Sequence, residues 1–144
     1  MDLKKYQVKR HFGVTSEPKG EIGKTGQSRF VVHEHHASHL HYDFRLEMDG
    51  VLKSWAVPKG PPGVTGVKRL AVQVEDHPVE YIDFHGTIPE GQYGAGLVEI
   101  WDKGKFVLKE RSAKVMKFEM RGGKLKGNYA LVKMEGKNWL LYKV

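Results

Sequence analysis

The sequence contains no cysteine and no long apolar run. The absence of cysteine excludes disulfide bridges, thiolate metal ligands and a cysteine nucleophile, and it is compatible with a reducing compartment. No segment approaches the ~20 apolar residues that a membrane span needs, and residues 1–29 lack the apolar stretch of a signal peptide. We therefore expect a soluble cytoplasmic protein with no membrane partner.

Positive charge exceeds negative charge, with 24 Lys and Arg against 17 Asp and Glu and a net charge of +7. This balance favours a polyanionic partner such as nucleic acid. Residues 1–29 carry seven of the basic residues but only three acidic ones, and few apolar side chains. We expect this segment to be basic and mobile, and residues 30–144 to form one folded domain.

Short apolar-polar alternations, separated by glycine-bearing turns, follow from Phe30 to the end of the chain. Asp49-Gly50, between two such runs, predicts a tight hairpin turn. Further turns are expected at residues 103–104, 122–123 and 135–136. The expected strands cover residues 30–35, 40–48, 51–57, 67–75, 79–84, 97–101, 105–109, 114–120, 126–134 and 138–144. This spacing predicts an all-β fold, a sandwich or a compact single-domain barrel of about eight or nine short, mostly antiparallel strands.

The segment from His39 to Leu46 has two chemically different faces if it is extended. Successive side chains of a strand alternate, which places His39, His41, Asp43 and Arg45 on one face and Leu40, Tyr42, Phe44 and Leu46 on the other. The apolar face should be buried, and the polar face should look outward or into a cleft. Two imidazoles and a carboxylate could bind a divalent metal, and the guanidinium could hold an anion beside it. A polar solvent-facing strand is the alternative.

A series of short motifs occurs along the chain in a fixed order. They are His35, HYDFRL at 41–46, LKSWAVPKGP at 52–61, KRLAV at 68–72, VEDHP at 74–78, Tyr81, FxGxIPxGxYGxG at 84–96 and WDxG at 101–104. Their order resembles the 3′-phosphoesterase domain family of bacterial DNA ligase D. The resemblance covers nearly the whole chain, weakly before Phe30 and strongly from there to Trp101. No ligase or polymerase segment accompanies these motifs, so the chain resembles a freestanding version.

The resemblance implies a divalent-metal enzyme that removes a 3′-terminal ribonucleoside from DNA and then the remaining 3′-phosphate, leaving a 3′-hydroxyl for end-joining repair. Mn²⁺ is the metal it implies, with Zn²⁺ or another transition metal compatible with the same ligands. By residue-to-residue matching, the metal ligands are His35, His41 and Asp43. The same matching assigns contacts with the phosphate to Arg45 and His77.

Further matches extend the site implied by the resemblance. Tyr81 matches a tyrosine of the phosphate pocket, and Lys59 and Arg69 match other basic residues implicated in activity. Arg10 and Glu17 match an N-terminal motif of the family, although His11 replaces its aspartate. The implied partners are DNA or RNA-tipped DNA 3′ ends in duplex, together with a separate DNA ligase and polymerase; we expect a monomer.

Two other functions fit part of the sequence. His41 and Asp43, joined by a distant His77 or His85, also match the facial triad of a non-haem iron oxygenase. That arrangement gives His35 no role and does not explain the basic charge. A nucleic-acid end-binding module without catalysis is the non-enzymatic alternative. The glycines from Gly91 to Gly96 lack the Lys-Ser or Lys-Thr ending of a phosphate-binding loop, so we interpret them as a structural turn.

Overall fold

The computed structural model describes residues 3–9 and 28–144. These residues form a closed, eight-stranded antiparallel barrel with one additional strand, and the all-β prediction is therefore confirmed. None of the helices in these ranges is long and apolar enough to cross a membrane. In chain order the elements are α1 Lys4–Val8, β1 Arg29–His36, β2 Leu40–Met48, β3 Val51–Val57, β4 Lys68–His77, a 3₁₀ helix Val79–Asp83, β5 Gly86–Ile88, β6 Gly96–Arg111, β7 Val115–Gly122, β8 Lys126–Lys133 and β9 Asn138–Lys143.

The strands follow one another around the barrel in the order β1-β2-β3-β4-β9-β8-β7-β6, and pairing of β1 with β6 closes the wall. β5 adds to the first residues of β6. The Asp49-Gly50 turn connects β2 and β3 as expected, and both residues have positive φ, 57° and 78°.

Two predicted elements were wrong. Val79–Asp83 form a 3₁₀ helix rather than the strand expected over residues 79–84, because the backbone bonds to itself three residues apart: the Tyr81 N–H donates to the Pro78 carbonyl at 2.9 Å, and the Phe84 N–H donates to the Tyr81 carbonyl at 3.1 Å. The turn expected at Lys103-Gly104 does not exist, since β6 runs through it. A Cβ on Gly104 would lie 2.4 Å from the Arg121 carbonyl oxygen, so glycine here permits close approach of β6 and β7. The three-residue β5 was not predicted.

The strand residues pack into two apolar layers. The larger cluster includes Phe30, Phe44, Trp55 and Leu141, and since its members come from all eight barrel strands, it fills the barrel interior. The smaller cluster lies on the outer face of the wall, where Tyr81 and neighbours from the 3₁₀ helix, β5 and β6 cover β1 and β3. The polar face of β2 lies under this outer layer, which places the candidate site outside the barrel.

Residues 3–9 contribute apolar side chains to the fold, although residues 1–29 were expected to contribute few. Leu3 and Tyr6 are 5% and 0% exposed, and Tyr6 packs in the outer apolar cluster. Helix α1 is therefore part of the cover over the wall. The domain boundary between residues 29 and 30 stays a prediction. Arg10 and Glu17, which were predicted to bind substrate, lie outside the described residues, as does His11.

Candidate active site

A cavity of about 340 Å³ lies between the barrel wall and its outer cover. Strands β1 to β4 provide one side, while the 3₁₀ helix and the turn before β6 provide the other. The polar face of β2 therefore looks into a cleft, one of the two orientations that its alternation left open. The cavity is lined by His35, Ala37, His41, Asp43, Arg45, Ala56, Val74, Glu75, His77, Tyr81, Ile88, Tyr93, Gly94 and Val98.

Strand register brings the polar groups together. His35 lies directly opposite His41 across the β1–β2 pair, and His33 lies opposite Asp43. Side chains opposite one another on antiparallel strands have Cβ atoms roughly 5 Å apart, so this pairing forces the imidazoles and the carboxylate into contact. On the other side of β2, Arg45 lies opposite Ser54 of β3.

His35, His41 and Asp43 each direct one ligand-type atom to a common point, and these atoms lie within 4.8 Å of one another. His35 Nδ1 is 3.5 Å and His41 Nε2 is 3.3 Å from the Asp43 carboxylate. The second nitrogen of each imidazole faces a backbone carbonyl, that of Gly94 at 2.6 Å and that of His39 at 3.3 Å. Metal-binding histidines are commonly held in this way, so the donor set fits a divalent transition metal.

Charges around Asp43 keep it ionised. Burial alone would raise the pKa of this carboxyl group, but the Arg45 charge and hydrogen bonds from His35 and His41 outweigh it and hold the pKa well below its usual range. The hydrogen bond to Asp43 in turn raises the pKa of His41, against the lowering effect of burial. Asp43 is thus a carboxylate at neutral pH, the form in which it can act as an anionic ligand to a cation.

Arg45 is 3% exposed and fixed on three sides. Its Nε donates to His33 Nδ1 at 3.1 Å, its Nη1 donates to Ser54 Oγ at 2.9 Å, and its Nη2 lies 3.3 Å from Asp43 Oδ2. The guanidinium also lies over the Tyr81 ring, 5.0 Å from its centroid. A planar donor group held in this way beside His35, His41 and Asp43 is suited to grip an anion in one orientation.

His33 holds Arg45 and was not recognised from the sequence as part of the site. The ring is fully buried, and its Nε2 donates to the Phe84 carbonyl at 3.0 Å, which leaves Nδ1 as the acceptor for Arg45. Burial, followed by the charge of Arg45, lowers the pKa of His33 to about 3. His33 is therefore neutral at physiological pH. The two-residue spacing from His35 on β1 was the signal for it, because both side chains share a face.

We expect His33→Leu to reduce turnover about ten- to a hundredfold, because the Arg45 guanidinium loses a partner that orients it. His33→Gln should restore most of the rate, since an amide can accept from Arg45 and donate to the Phe84 carbonyl. Steady-state kinetics, with thermal denaturation to verify folding, measure both effects. His36→Leu, on the opposite face of β1, is the control. Equal loss in the Leu and Gln variants would contradict this role.

His77 is 3% exposed and lies on the cavity wall beyond Arg45. Its Nδ1 donates to the Glu75 carbonyl at 3.0 Å, which assigns any proton transfer in the cavity to Nε2. The ring packs against Tyr6 and Tyr81, with centroids 4.9 and 4.8 Å away. Helix α1 thus helps to orient this imidazole through Tyr6.

The glycine-rich segment is a turn, as interpreted from the sequence, and it also borders the cavity. Gly94 adopts φ +76°, a conformation that side chains disfavour, and its carbonyl oxygen accepts from His35 Nε2. The turn therefore fixes the orientation of one imidazole of the cluster.

Some predicted residues do not line this cavity. Arg69 donates to the backbone carbonyl of Lys59 at 2.9 Å, and neither side chain reaches the cavity wall. His39 is exposed and contributes only its carbonyl oxygen, and His85 is exposed elsewhere. The iron-oxygenase alternative needs His77 or His85 beside His41 and Asp43. Among the described residues, neither histidine belongs to a cluster of three side chains that could bind a metal, so this alternative has no support.

Comparison with known proteins identifies the family of this chain. Residues 33–133 match the DNA Ligase D 3′-phosphoesterase domain. The chain belongs to this family. The prediction made from the motif order is therefore confirmed. The match begins at His33 and so includes every residue that lines the cavity, whereas Tyr6, which packs behind His77, lies before it.

Curated relatives of the family extend beyond the matched region. The chain is 48% identical over 155 residues to the multifunctional non-homologous end joining protein LigD of Mycolicibacterium smegmatis, covering 99% of this chain and 20% of the relative. The LigD protein of Pseudomonas aeruginosa is 48% identical over 153 residues, covering 98% and 18%. The LigD protein of Mycobacterium tuberculosis is 47% identical over 135 residues, covering 90% and 17%. The chain thus spans about a fifth of the length of these relatives.

Proposed function

We propose that this protein is a divalent-metal-dependent phosphoesterase that trims the 3′ ends of DNA during end-joining repair. It first removes a 3′-terminal ribonucleoside and then the 3′-phosphate. The observation that carries the proposal is the meeting of His35, His41, Asp43, Arg45 and His77 in one cavity. Membership of the DNA ligase D 3′-phosphoesterase family supports the reaction class.

His35, His41 and Asp43 would hold the metal, with Mn²⁺ as the proposed ion. When bound, the ion supplies charge neutralisation at the phosphoryl group and lowers the pKa of a coordinated water. Three protein ligands leave coordination positions for water and substrate, as catalytic sites require. The carboxylate is the anionic member of the set, and the two imidazoles are oriented by carbonyl groups.

Arg45 would grip two nonbridging oxygens of the phosphate while His33, Ser54 and Asp43 hold its plane. His77 would donate a proton from Nε2 to the leaving oxygen. Tyr81 supports both groups, since it packs against His77 and lies under Arg45. We therefore assign binding of the phosphate to Arg45, proton transfer to His77 and a supporting role to Tyr81.

Each step consumes one water molecule. In the first, a water oxygen forms a bond to phosphorus, and the bond from phosphorus to the 5′ oxygen of the terminal ribonucleoside breaks. That oxygen takes a proton, which leaves a 3′-phosphate on the DNA. In the second, water again attacks phosphorus and the bond to the 3′ oxygen breaks, giving inorganic phosphate and a 3′-hydroxyl. We propose that a separate DNA ligase and polymerase use this hydroxyl.

Three labelled duplexes test the proposal, ending in a 3′-ribonucleotide, a 3′-phosphate or a 5′-phosphate. After treatment with a chelator, none should be processed. Added Mn²⁺ should convert the first duplex to a 3′-phosphate and then to a 3′-hydroxyl, convert the second to a 3′-hydroxyl, and leave the 5′-phosphate intact. Electrophoresis resolves these products. Binding of all three ends without hydrolysis would favour the non-catalytic end-binding module, and hydrolysis of the 5′-phosphate at the same rate would contradict the specificity.

A further inference from the structure

A second groove, of about 750 Å³, adjoins the cavity. Val74, Glu75 and Tyr93 line both spaces, so each opens toward the other. The groove lies between α1 and β4 and ends at the turn before β9. There the Gln73 N–H donates to the Lys137 carbonyl at 2.7 Å, which fixes the turn against β4. A chain leaving the cavity can therefore continue along the groove.

The two carboxylates that line the groove are already neutralised. Glu75 accepts from Lys9 Nζ at 3.1 Å, and its side chain is only 6% exposed. Asp76 accepts from Lys53 Nζ at 3.1 Å. These pairs remove most of the repulsion that a polyanion would otherwise meet in the groove.

Lysines give the groove a net positive charge. Lys5 lies in α1, and Lys9 is the capping residue directly after it, which keeps a helical backbone conformation. Because they are about one helical turn apart, both project toward the groove, and Lys137 lines it as well. In the part of the chain that the structure describes, neither Lys5 nor Lys137 forms an ion pair. Tyr93, a residue that is 47% exposed, lies where the groove meets the cavity, and Lys9 Nζ is 4.5 Å from the centroid of its ring. Lysines beside an exposed aromatic ring are typical of surfaces that bind a nucleic-acid strand.

We propose that this groove binds the phosphodiester backbone of the strand whose 3′ end occupies the cavity. Lys5 and Lys137 contact phosphates upstream of the terminal nucleotide, and Tyr93 contacts the nucleotide at the junction. The inference rests on the proposed function, because it assumes that the strand end reaches the cavity. The inference adds to the proposed function the path that the DNA strand follows out of the cavity.

The test compares two substrates that share the reacting phosphate but differ in the upstream strand. One is a duplex ending in a 3′-phosphate, and the other is deoxythymidine 3′-monophosphate, which has no upstream backbone. The Lys5→Ala/Lys137→Ala double variant should raise KM for the duplex on the order of tenfold and leave kcat unchanged. Its KM for the monophosphate should equal that of the wild type. The control is Lys109→Ala/Lys126→Ala, which removes the same charge from two exposed residues outside the groove and the cavity.

Binding of a fluorescent duplex with a 3′-hydroxyl provides a second readout that needs no turnover. The groove variant should bind more weakly and show a log-log salt slope shallower by about two units, one for each lost phosphate contact. An unchanged slope, an equal effect in the control pair, or an equal rise of KM for both substrates would overturn the inference. If the wild type hydrolyses no 3′ end, the proposed function fails, and the salt slope alone then decides whether the groove binds the strand.

Discussion

Asp43→Asn should abolish both trimming steps, with turnover about 10³-fold lower or less, and should weaken Mn²⁺ binding by at least about a hundredfold. The substitution keeps the shape of the side chain but removes the negative charge at the centre of the site, which is worth several kcal/mol toward a bound cation. Without that charge, the buried Arg45 guanidinium, whose Nη2 lies 3.3 Å from Asp43, also repels the ion. Calorimetric titration with Mn²⁺ and single-turnover kinetics on a 3′-phosphorylated duplex measure the two effects.

Asp83→Asn is the matched control for Asp43, because its carboxylate is exposed and pairs only with Lys103 at 3.1 Å among the described residues. It should leave activity and Mn²⁺ affinity unchanged. His35→Ala and His41→Ala should resemble Asp43→Asn, since their imidazoles complete the same cluster. Near wild-type activity of Asp43→Asn in Mn²⁺ would show that the metal site has been assigned to the wrong residues.

The strands that line the site were predictable because their pattern is local. β2 and β3 have the bounds expected from alternation on either side of Asp49-Gly50. Once β2 is a strand, the common face of His41, Asp43 and Arg45 follows from its two-residue period. The residues within one strand could therefore be assigned to one face before the fold was known, but whether that face borders a cleft or solvent depends on the elements that cover it.

The remaining parts of the site depend on contacts distant in sequence. The two-residue spacing from His35 places His33 on the face of the site, but it does not indicate that the ring accepts from Arg45. That contact needs the β1–β2 register and the hydrogen bond from the ring to the Phe84 carbonyl. The position of Tyr6 beside His77 joins residues 71 apart, and a short basic helix gives no local sign of it. The expectation that the apolar face of β2 is buried was wrong for Leu40. This residue is 48% exposed, because it is the first residue of the strand.

Arg45→Lys should lower kcat about 10²- to 10³-fold while Mn²⁺ affinity stays within a few-fold of the wild type. Lysine keeps the positive charge, but a single ammonium group cannot replace the three donor positions that reach His33, Ser54 and Asp43. A phosphate would then lose its planar, paired donors, whose contribution is greatest when charge develops on its oxygens. The pattern of lost turnover with retained metal binding distinguishes a group that contacts the phosphate from a metal ligand.

Arg29→Lys is the control that separates the loss of phosphate binding expected for Arg45→Lys from the loss of stability that replacing any buried arginine pair can cause. Arg29 also holds a buried carboxylate, with its Nε 2.8 Å from Glu47 Oε1, but it does not line the cavity. Its substitution should lower thermal stability and leave kcat intact, whereas Arg45→Lys should lower kcat at temperatures where both variants are folded. If Arg45→Lys instead loses Mn²⁺ affinity as severely as Asp43→Asn, the guanidinium acts mainly by holding Asp43 in position, and binding of the phosphate must then be assigned to another group in the cavity.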